Sequence, residues 1–328
     1  MVLFIAFVPL FLADQLQRND ADFYLPPFGQ AYLAFLIWNL CSTWWIAYVS
    51  FPGMAFITGA NALLMAIVWW GSRKLGKTSV FDSGNITRII FWIAFEYLNH
   101  RGMLPWPWLT LGNGFANSVK FIQWYEYTGV LGGSLWILLV NILIFRAVRR
   151  MFVCFNRPIF NWLYLALAVI AIPVILSFHL YSGAVAVGAK QQVVVVQPNI
   201  DPYTEKFSGM SVKEQMDKLL NLASSELSDS TNLVLAPETA IPEVWEDSCK
   251  LSCKVKNEIQ QLLRPFPKAS FAGGVISHVG VDAAKSAFSG IPGATGDNGC
   301  QSYNSVFLTA NSGEFQFCHK NRLVAGVE

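Results

Sequence analysis

Residues 29–50 and 51–72 contain no charged side chain, and each is as long as the roughly 20 apolar residues that a helix needs to cross a bilayer. Residues 127–145 and 158–181 are likewise uncharged, the second with Pro173 as an expected kink. Residues 89–109 are apolar apart from Glu96, His100 and Arg101. Residues 2–13 (VLFIAFVPLFLA) are apolar but short, and they lack the basic start and small-residue cleavage site of a signal peptide. The pattern predicts about six membrane spans over residues 1–185, the first one partial.

Beyond residue 185 the pattern changes to that of a layered α/β domain, residues 186–328. Gln192 to Gln197 (QVVVVQ) is a continuous apolar run of strand length, suited to a strand buried on both faces. Ser211-Val212-Lys213-Glu214 has capping-box form and opens a helix with apolar residues at Val212, Met216, Leu219, Leu220 and Leu227. Asn232 to Ala236 (NLVLA) reads as a second buried strand ended by Pro237. A helix over 252–263 and a strand around Ser270 to Ile276 follow. Ser305 to Ala310 and Phe315 to Lys320 flank Asn311-Ser312-Gly313-Glu314, a hairpin signal.

Composition agrees with this division. The 328 residues, enough for about two domains, are 54% hydrophobic and only 13% charged, against about 25% charge in an ordinary soluble domain. Eleven of the 12 tryptophans precede residue 186. A net charge of +2, with no basic tract longer than Arg149-Arg150, argues against a nucleic-acid partner. The basic residues of the predicted membrane part concentrate in alternate loops: Arg18; then Arg73, Lys74, Lys77 and Arg88; then Arg146, Arg149, Arg150 and Arg157. Basic loops stay in the cytoplasm, so the polar domain is expected on the far side, in a bacterium the periplasm.

Candidate chemistry is sparse. Glu238 follows a strand and Pro237, at the carboxyl end where open α/β sheets gather active groups, and could serve as a general base. Lys320 ends the second hairpin strand, and Glu328 lies eight residues on. His100, His179, His278 and His319 are scattered without ligand spacing, so no metal is expected, and no cofactor motif is present. Glu96 and Arg101, five apart near the end of their span, read as a helix-end pair or snorkelling side chains rather than as a substrate site.

Val193 to Ile200 (VVVVQPNI), Leu233 to Pro242 (LVLAPETAIP), Tyr303-Asn304-Ser305 and Lys320 to Glu328 (KNRLVAGVE), behind a set of spans containing Pro105 to Gly112 (PWPWLTLG), resemble the apolipoprotein N-acyltransferases. These form the membrane-bound branch of the nitrilase superfamily. The resemblance implies a multi-span α-helical membrane bundle followed by a nitrilase-like αββα sandwich, here incomplete, with only about half of the sandwich present. It also implies transfer of a fatty acyl chain from a phospholipid to the amino group of the diacylglyceryl-cysteine that begins an apolipoprotein. The location implied is the bacterial inner membrane.

On that resemblance Glu238 is the base of a Glu-Lys-Cys triad, Lys320 stabilises the oxyanion, Glu328 supports Lys320, and Phe207 takes the position of a lid aromatic that is usually tryptophan. The family's nucleophilic cysteine lies tens of residues beyond Lys320, and none of Cys41, Cys154, Cys249, Cys253, Cys300 and Cys318 carries a nucleophile signal. The expectation is a chain truncated at its carboxyl end, and also at its amino end, and inactive as it stands. Two alternatives remain: a membrane-tethered nitrilase-type amidase, and a non-enzymatic membrane protein using Glu96 and Arg101.

Overall fold

The computed structural model of the chain describes residues 2–19, 25–76, 85–102, 105–153, 160–183, 188–201, 204–206, 209–246, 249–280 and 300–321. Contacts divide the chain into two units, Met1–Ala186 and Val187–Glu328, each taken by itself below.

The first unit is helical. A 3-10 turn at Val2–Phe4 precedes α1 (Val8–Asn19), followed by α2 (Pro27–Thr43), α3 (Phe51–Gly76), α4 (Asn85–Arg101), α5 (Tyr125–Val153) and α6 (Phe160–Gly183). Pro27 opens α2 at a position where its missing N–H costs nothing. Three helices, α3, α5 and α6, are long and apolar enough to cross a membrane. The six expected spans are thus met by length and composition at three places among the described residues. The 17-residue α2 runs on into a 3-10 turn at Trp44–Tyr48, whereas α4 stops at Arg101 instead of continuing to residue 109. Pro105 and Pro107 explain that stop, because the residues before a proline are pushed out of the helical region.

Aromatic rings fill the core of this unit. Phe7 packs edge-on against Trp92 with ring centroids 5.0 Å apart, and Phe11 tilts against Trp69 at 5.1 Å. Asp14, buried on α1, forms ion pairs with both Arg73 of α3 and Arg88 of α4, and the Arg88 guanidinium also lies over the rings of Phe11 and Trp69. Removing one partner from such a buried cluster strands charge in the interior and costs on the order of 3–5 kcal/mol. In contrast α6 shows apolar residues outward, with Ile172 and Ile175 each 66% exposed, as a helix in contact with hydrocarbon requires.

The second unit is one mixed sheet. Its strands are β1 (Gln192–Val195), β2 (Thr231–Leu235), β3 (Ile241–Trp245), β4 (Ser270–Gly280), β5 (Cys300–Ala310) and β6 (Phe315–His319). The order is β1-β2-β4-β5-β6, with β3 also paired to β4. Strands β1, β2 and β4 run parallel, and β5 and β6 complete an antiparallel meander.

Helix α7 (Val212–Glu226) begins with the expected capping box: the Ser211 hydroxyl accepts from the Glu214 N–H while Glu214 accepts from the Ser211 N–H. It packs with α8 (Cys249–Leu263), and their buried faces, including Met216, Leu219, Ile259 and Leu263, meet Val234, Ile241, Phe271, Val275 and Phe307 of the sheet.

One expectation is corrected here. β1 is an edge strand, not a strand buried on both faces: Val193 and Val195 are exposed, as are Val306 and Leu308 of β5. A continuous apolar run looks alike whether one face or both is covered, so periodicity could not separate the two cases.

Candidate functional site

Strands β2 and β3 lie along the same side of the long β4, β2 against Ser270–Ala272 and β3 against Val275–His278. Residues 236–240 cross the break between them. Ala236 N–H donates to the Ala272 carbonyl at 2.9 Å, and Gly274 N–H donates to the Pro237 carbonyl at 3.1 Å. The segment therefore presses onto β4 at Gly274. A Cβ there would lie 2.5 Å from Thr239 N and 2.6 Å from both Glu238 Cα and Pro237 O, so only glycine fits. Thr239 takes a positive φ of 47°, a rare conformation for a β-branched residue, and this turns the chain back into β3.

The break projects Glu238. Its Oε1 accepts from Lys320 Nζ at 2.7 Å and from Asn304 Nδ2 at 2.6 Å. Lys320 follows β6 and is held by its own N–H on the Asn304 carbonyl at 2.8 Å. The preceding residue is anchored too: His319 Nδ1 meets Ser305 Oγ at 2.8 Å, Ser305 Oγ meets Ser277 Oγ at 2.7 Å, and the Tyr303 ring stacks on the imidazole at 4.2 Å. A polar network under β5 and β6 thereby fixes where the lysine starts. The Glu238 side chain remains 58% exposed and that of Lys320 31%, so the pair is open to reactants rather than sealed in the core.

A second lysine, from the loop after β1, bonds to the residue beside that carboxylate and feels its charge. Lys206 Nζ donates to the Thr239 hydroxyl, and Gln215 Nε2 holds the Lys206 carbonyl at 2.8 Å. Burial pushes the Lys206 ammonium below the ordinary lysine range, and the charge of Glu238 partly offsets that. A carboxylate that accepts from a lysine and an amide on one oxygen can take a proton from a nucleophile, while the neighbouring ammonium can stabilise a developing oxyanion.

Two sequence-derived candidates, Glu238 and Lys320, thus meet at hydrogen-bonding distance. Two others, Phe207 and Glu328, lie outside the described residues, as does Cys154. Asn304 and Thr239 lie in the motifs Tyr303-Asn304-Ser305 and Leu233 to Pro242, which assign them no role, and Lys206 lies in none. Thr239 beside Glu238 and Lys206 beside Phe207 were the available signals. Cys41 and Cys318 are both free and exposed, Cys318 opposite Val306 in the β5–β6 register. No group of three or more histidine, cysteine, aspartate or glutamate residues suited to a metal ion occurs among the described residues. Glu96 and Arg101 do not form a pair among the described residues. The Glu96 carboxylate accepts from the Trp92 indole at 3.0 Å and from the Leu111 N–H at 2.9 Å, and the Arg101 guanidinium stacks over Tyr97.

Helices able to cross a membrane, joined in one chain to a mixed α/β sheet with a carboxylate–lysine pair at a strand break, define the class: a membrane protein with an α/β domain. Residues 1–143 match the family model described as the apolipoprotein N-acyltransferase N-terminal domain. The chain is 26% identical over 244 residues to the apolipoprotein N-acyltransferase of Chlorobaculum tepidum, covering 73% of this chain and 44% of that protein. Similarity to the enzymes of that name from Geobacter metallireducens (24% identity, 79% of this chain, 50% of the relative) and Gloeobacter violaceus (23%, 83% and 52%) is of the same kind. The chain is thus similar to the apolipoprotein N-acyltransferases over most of its length, and it spans about half the length of the curated relatives it matches.

Proposed function

We propose that the protein acts in N-acyl transfer, moving a fatty acyl chain from a phospholipid to the terminal amine of a diacylated apolipoprotein, with Glu238 and Lys320 in the reaction centre. The observation that carries this reading is the convergence of Lys320 and Asn304 on one oxygen of Glu238 at 2.7 and 2.6 Å. It is supported by the similarity of the chain to apolipoprotein N-acyltransferases and by helices of membrane length. In this reading Glu238 takes the proton of a thiol and later that of the incoming amine, and Lys320 stabilises the oxyanion of each tetrahedral intermediate. Glu328 supports Lys320, and Phe207 covers the acyl chain. The concentration of basic residues in alternate loops supports an α/β domain on the periplasmic side of the inner membrane.

These 328 residues supply the base and the lysine. Cys318 sits within a strand rather than at a strand-to-helix turn where a thiolate would be activated, so by themselves the 328 residues are proposed not to turn over. Mass spectrometry of lipoprotein amino termini, in cells that depend on the gene encoding this chain, tests both statements. Triacylated termini that become diacylated in Glu238→Gln support the acyl-transfer reading; triacylation unaffected by that change removes it. Triacylation by the 328-residue form alone would overturn only the inactivity.

A further inference from the structure

Leu3, Ala6, Phe7 and Leu10 from the amino-terminal helical segment, Ala34, Phe35 and Trp38 from α2, and Leu111 from the α4–α5 connection enclose a cavity of about 210 Å³. Every lining residue is apolar or aromatic. Water would find almost no partners there, and an empty space would forfeit dispersion contacts along its walls. Two of the lining residues, Ala6 before α1 and Ala34 on α2, are exposed, so the cavity reaches the surface where these small side chains stand. Around it the surface is hydrocarbon-facing in kind: Val2, Ile5, Leu33, Ile37 and Leu40 are all exposed.

Buried polar residues of the helical unit hold the walls in place. Asn141 of α5 accepts from the Phe7 N–H at 2.9 Å and donates to the Leu3 carbonyl at 2.7 Å, which fixes one wall. Glu96 accepts from the Leu111 N–H at 2.9 Å, and Ser134 accepts from the next amide, Gly112, at 3.0 Å, which fixes the opposite one. Trp38 lies parallel to Trp92, which Glu96 also holds. The groove is therefore preformed, since its shape is set by hydrogen bonds that need no occupant.

We propose that this groove binds one acyl tail of a membrane phospholipid as a resident lipid of the helical unit. The cavity, of about 210 Å³, takes a fraction of one tail, with the remainder leaving past the exposed Ala6 and Ala34. The surrounding solvent supplies this occupant in excess. The site serves to complete the packing of α1 against α2, and it does not rest on the acyl-transfer reading.

Native mass spectrometry of the protein released from mild detergent should show one phospholipid retained per chain. A phospholipid carrying a photoreactive group within its tail should label peptides spanning Leu3–Leu10 and Ala34–Trp38 about tenfold more than the exposed face of α6 at Ile172 and Ile175. Ala34→Trp, which adds bulk where the cavity reaches the surface, should abolish that excess, whereas Leu167→Trp on α6 should not. Ala34→Leu and Ala6→Leu, which add less bulk, should lower it in part and serve where the tryptophan variant does not fold. Equal labelling on all helices, excess labelling unchanged in the filled variants, or cross-links from the groove to a second copy or another segment of the chain would each overturn the proposal.

Discussion

Lys320 Nζ donates to Glu238 Oε1 at 2.7 Å although 82 residues separate the two. The sheet brings them together: Glu238 sits in the β2–β3 break, and Lys320 leaves β6 two strands away from β4. Between them stands Asn304 of β5, donating to the same oxygen. On the proposed acyl-transfer reading, Glu238→Gln should lower the acylation rate by about 10²–10⁴-fold, the usual worth of a general base. Asn304→Ala should cost less, about ten- to a hundredfold, because it removes one hydrogen bond to a charged group. Single-turnover acylation of a diacylated peptide measures both, and equal losses in the two variants would contradict the assigned roles.

Gly274 is the residue on which that geometry depends most closely. An added methyl would meet backbone atoms of Pro237, Glu238 and Thr239 rather than flexible side-chain ends, so nothing can move aside cheaply. Gly274→Ala should destabilise the α/β unit by roughly 3 kcal/mol, the upper end of overpacking costs. It should also move Glu238 away from Lys320. Thermal unfolding of the solubilised protein reads the first effect, and loss of lipoprotein triacylation in cells that depend on the encoding gene, at temperatures well below unfolding, reads the second on the proposed reading. Gly273→Ala, whose Cβ would face side chains at 3.0 Å and beyond, should be milder on both counts.

Much of this was legible before the structure. The capping box at Ser211, both long helices of the α/β unit and the β5–β6 hairpin follow from local chemistry that acts within a few residues. Glu238 was legible in part from its place after a strand and Pro237, and Lys320 only through the motif that begins with it. β3 was missed because Ile241-Pro242-Glu243 has no strand pattern and gains its pairing only from the second half of β4, distant in sequence. Lys206 was missed because its place beside Thr239 arises from a loop return that no periodicity encodes. In the helical unit, Glu96 looked like half of a helix-end ion pair. Its real partners are an indole four residues back and an amide fifteen residues ahead, and only tertiary packing unites them.

Lys206 makes a prediction about pH. Burial lowers its pKa from the ordinary 10.5, so the unfolded chain holds this proton more tightly than the folded one. Across the window between the lowered value and 10.5, folding stability must rise with pH, since the unfavourable buried charge is shed first in the native state. Below the window the penalty is constant. Melting temperatures of the protein and of Lys206→Met, taken side by side as pH rises toward 10.5, should show the wild type gaining on the variant. A constant difference, or one that moves the other way, would mean that Lys206 is not held in the buried position.

Glu96 separates a structural role from a transport role at membrane depth. Its Oε1 accepts two donors, the Trp92 indole and the Leu111 N–H, and both are buried with it. Glu96→Gln keeps an acceptor oxygen on an isosteric side chain, so the bonds survive and the melting temperature should stay near that of the wild type. Glu96→Leu strands both donors, at about 1–3 kcal/mol each for an unsatisfied buried group, and should lower it clearly. The same loss frees Leu111, one wall of the groove beside Phe7 and Trp38, so resident lipid should leave Glu96→Leu and remain in Glu96→Gln. A charge-carrying or proton-relaying Glu96 requires the reverse pattern in function: the glutamine variant would then be as impaired as the leucine one, because both lack the titrating carboxyl. Comparing the two variants in unfolding, lipid retention and activity therefore decides between an anchor for the Pro105 to Gly112 segment and a transport residue.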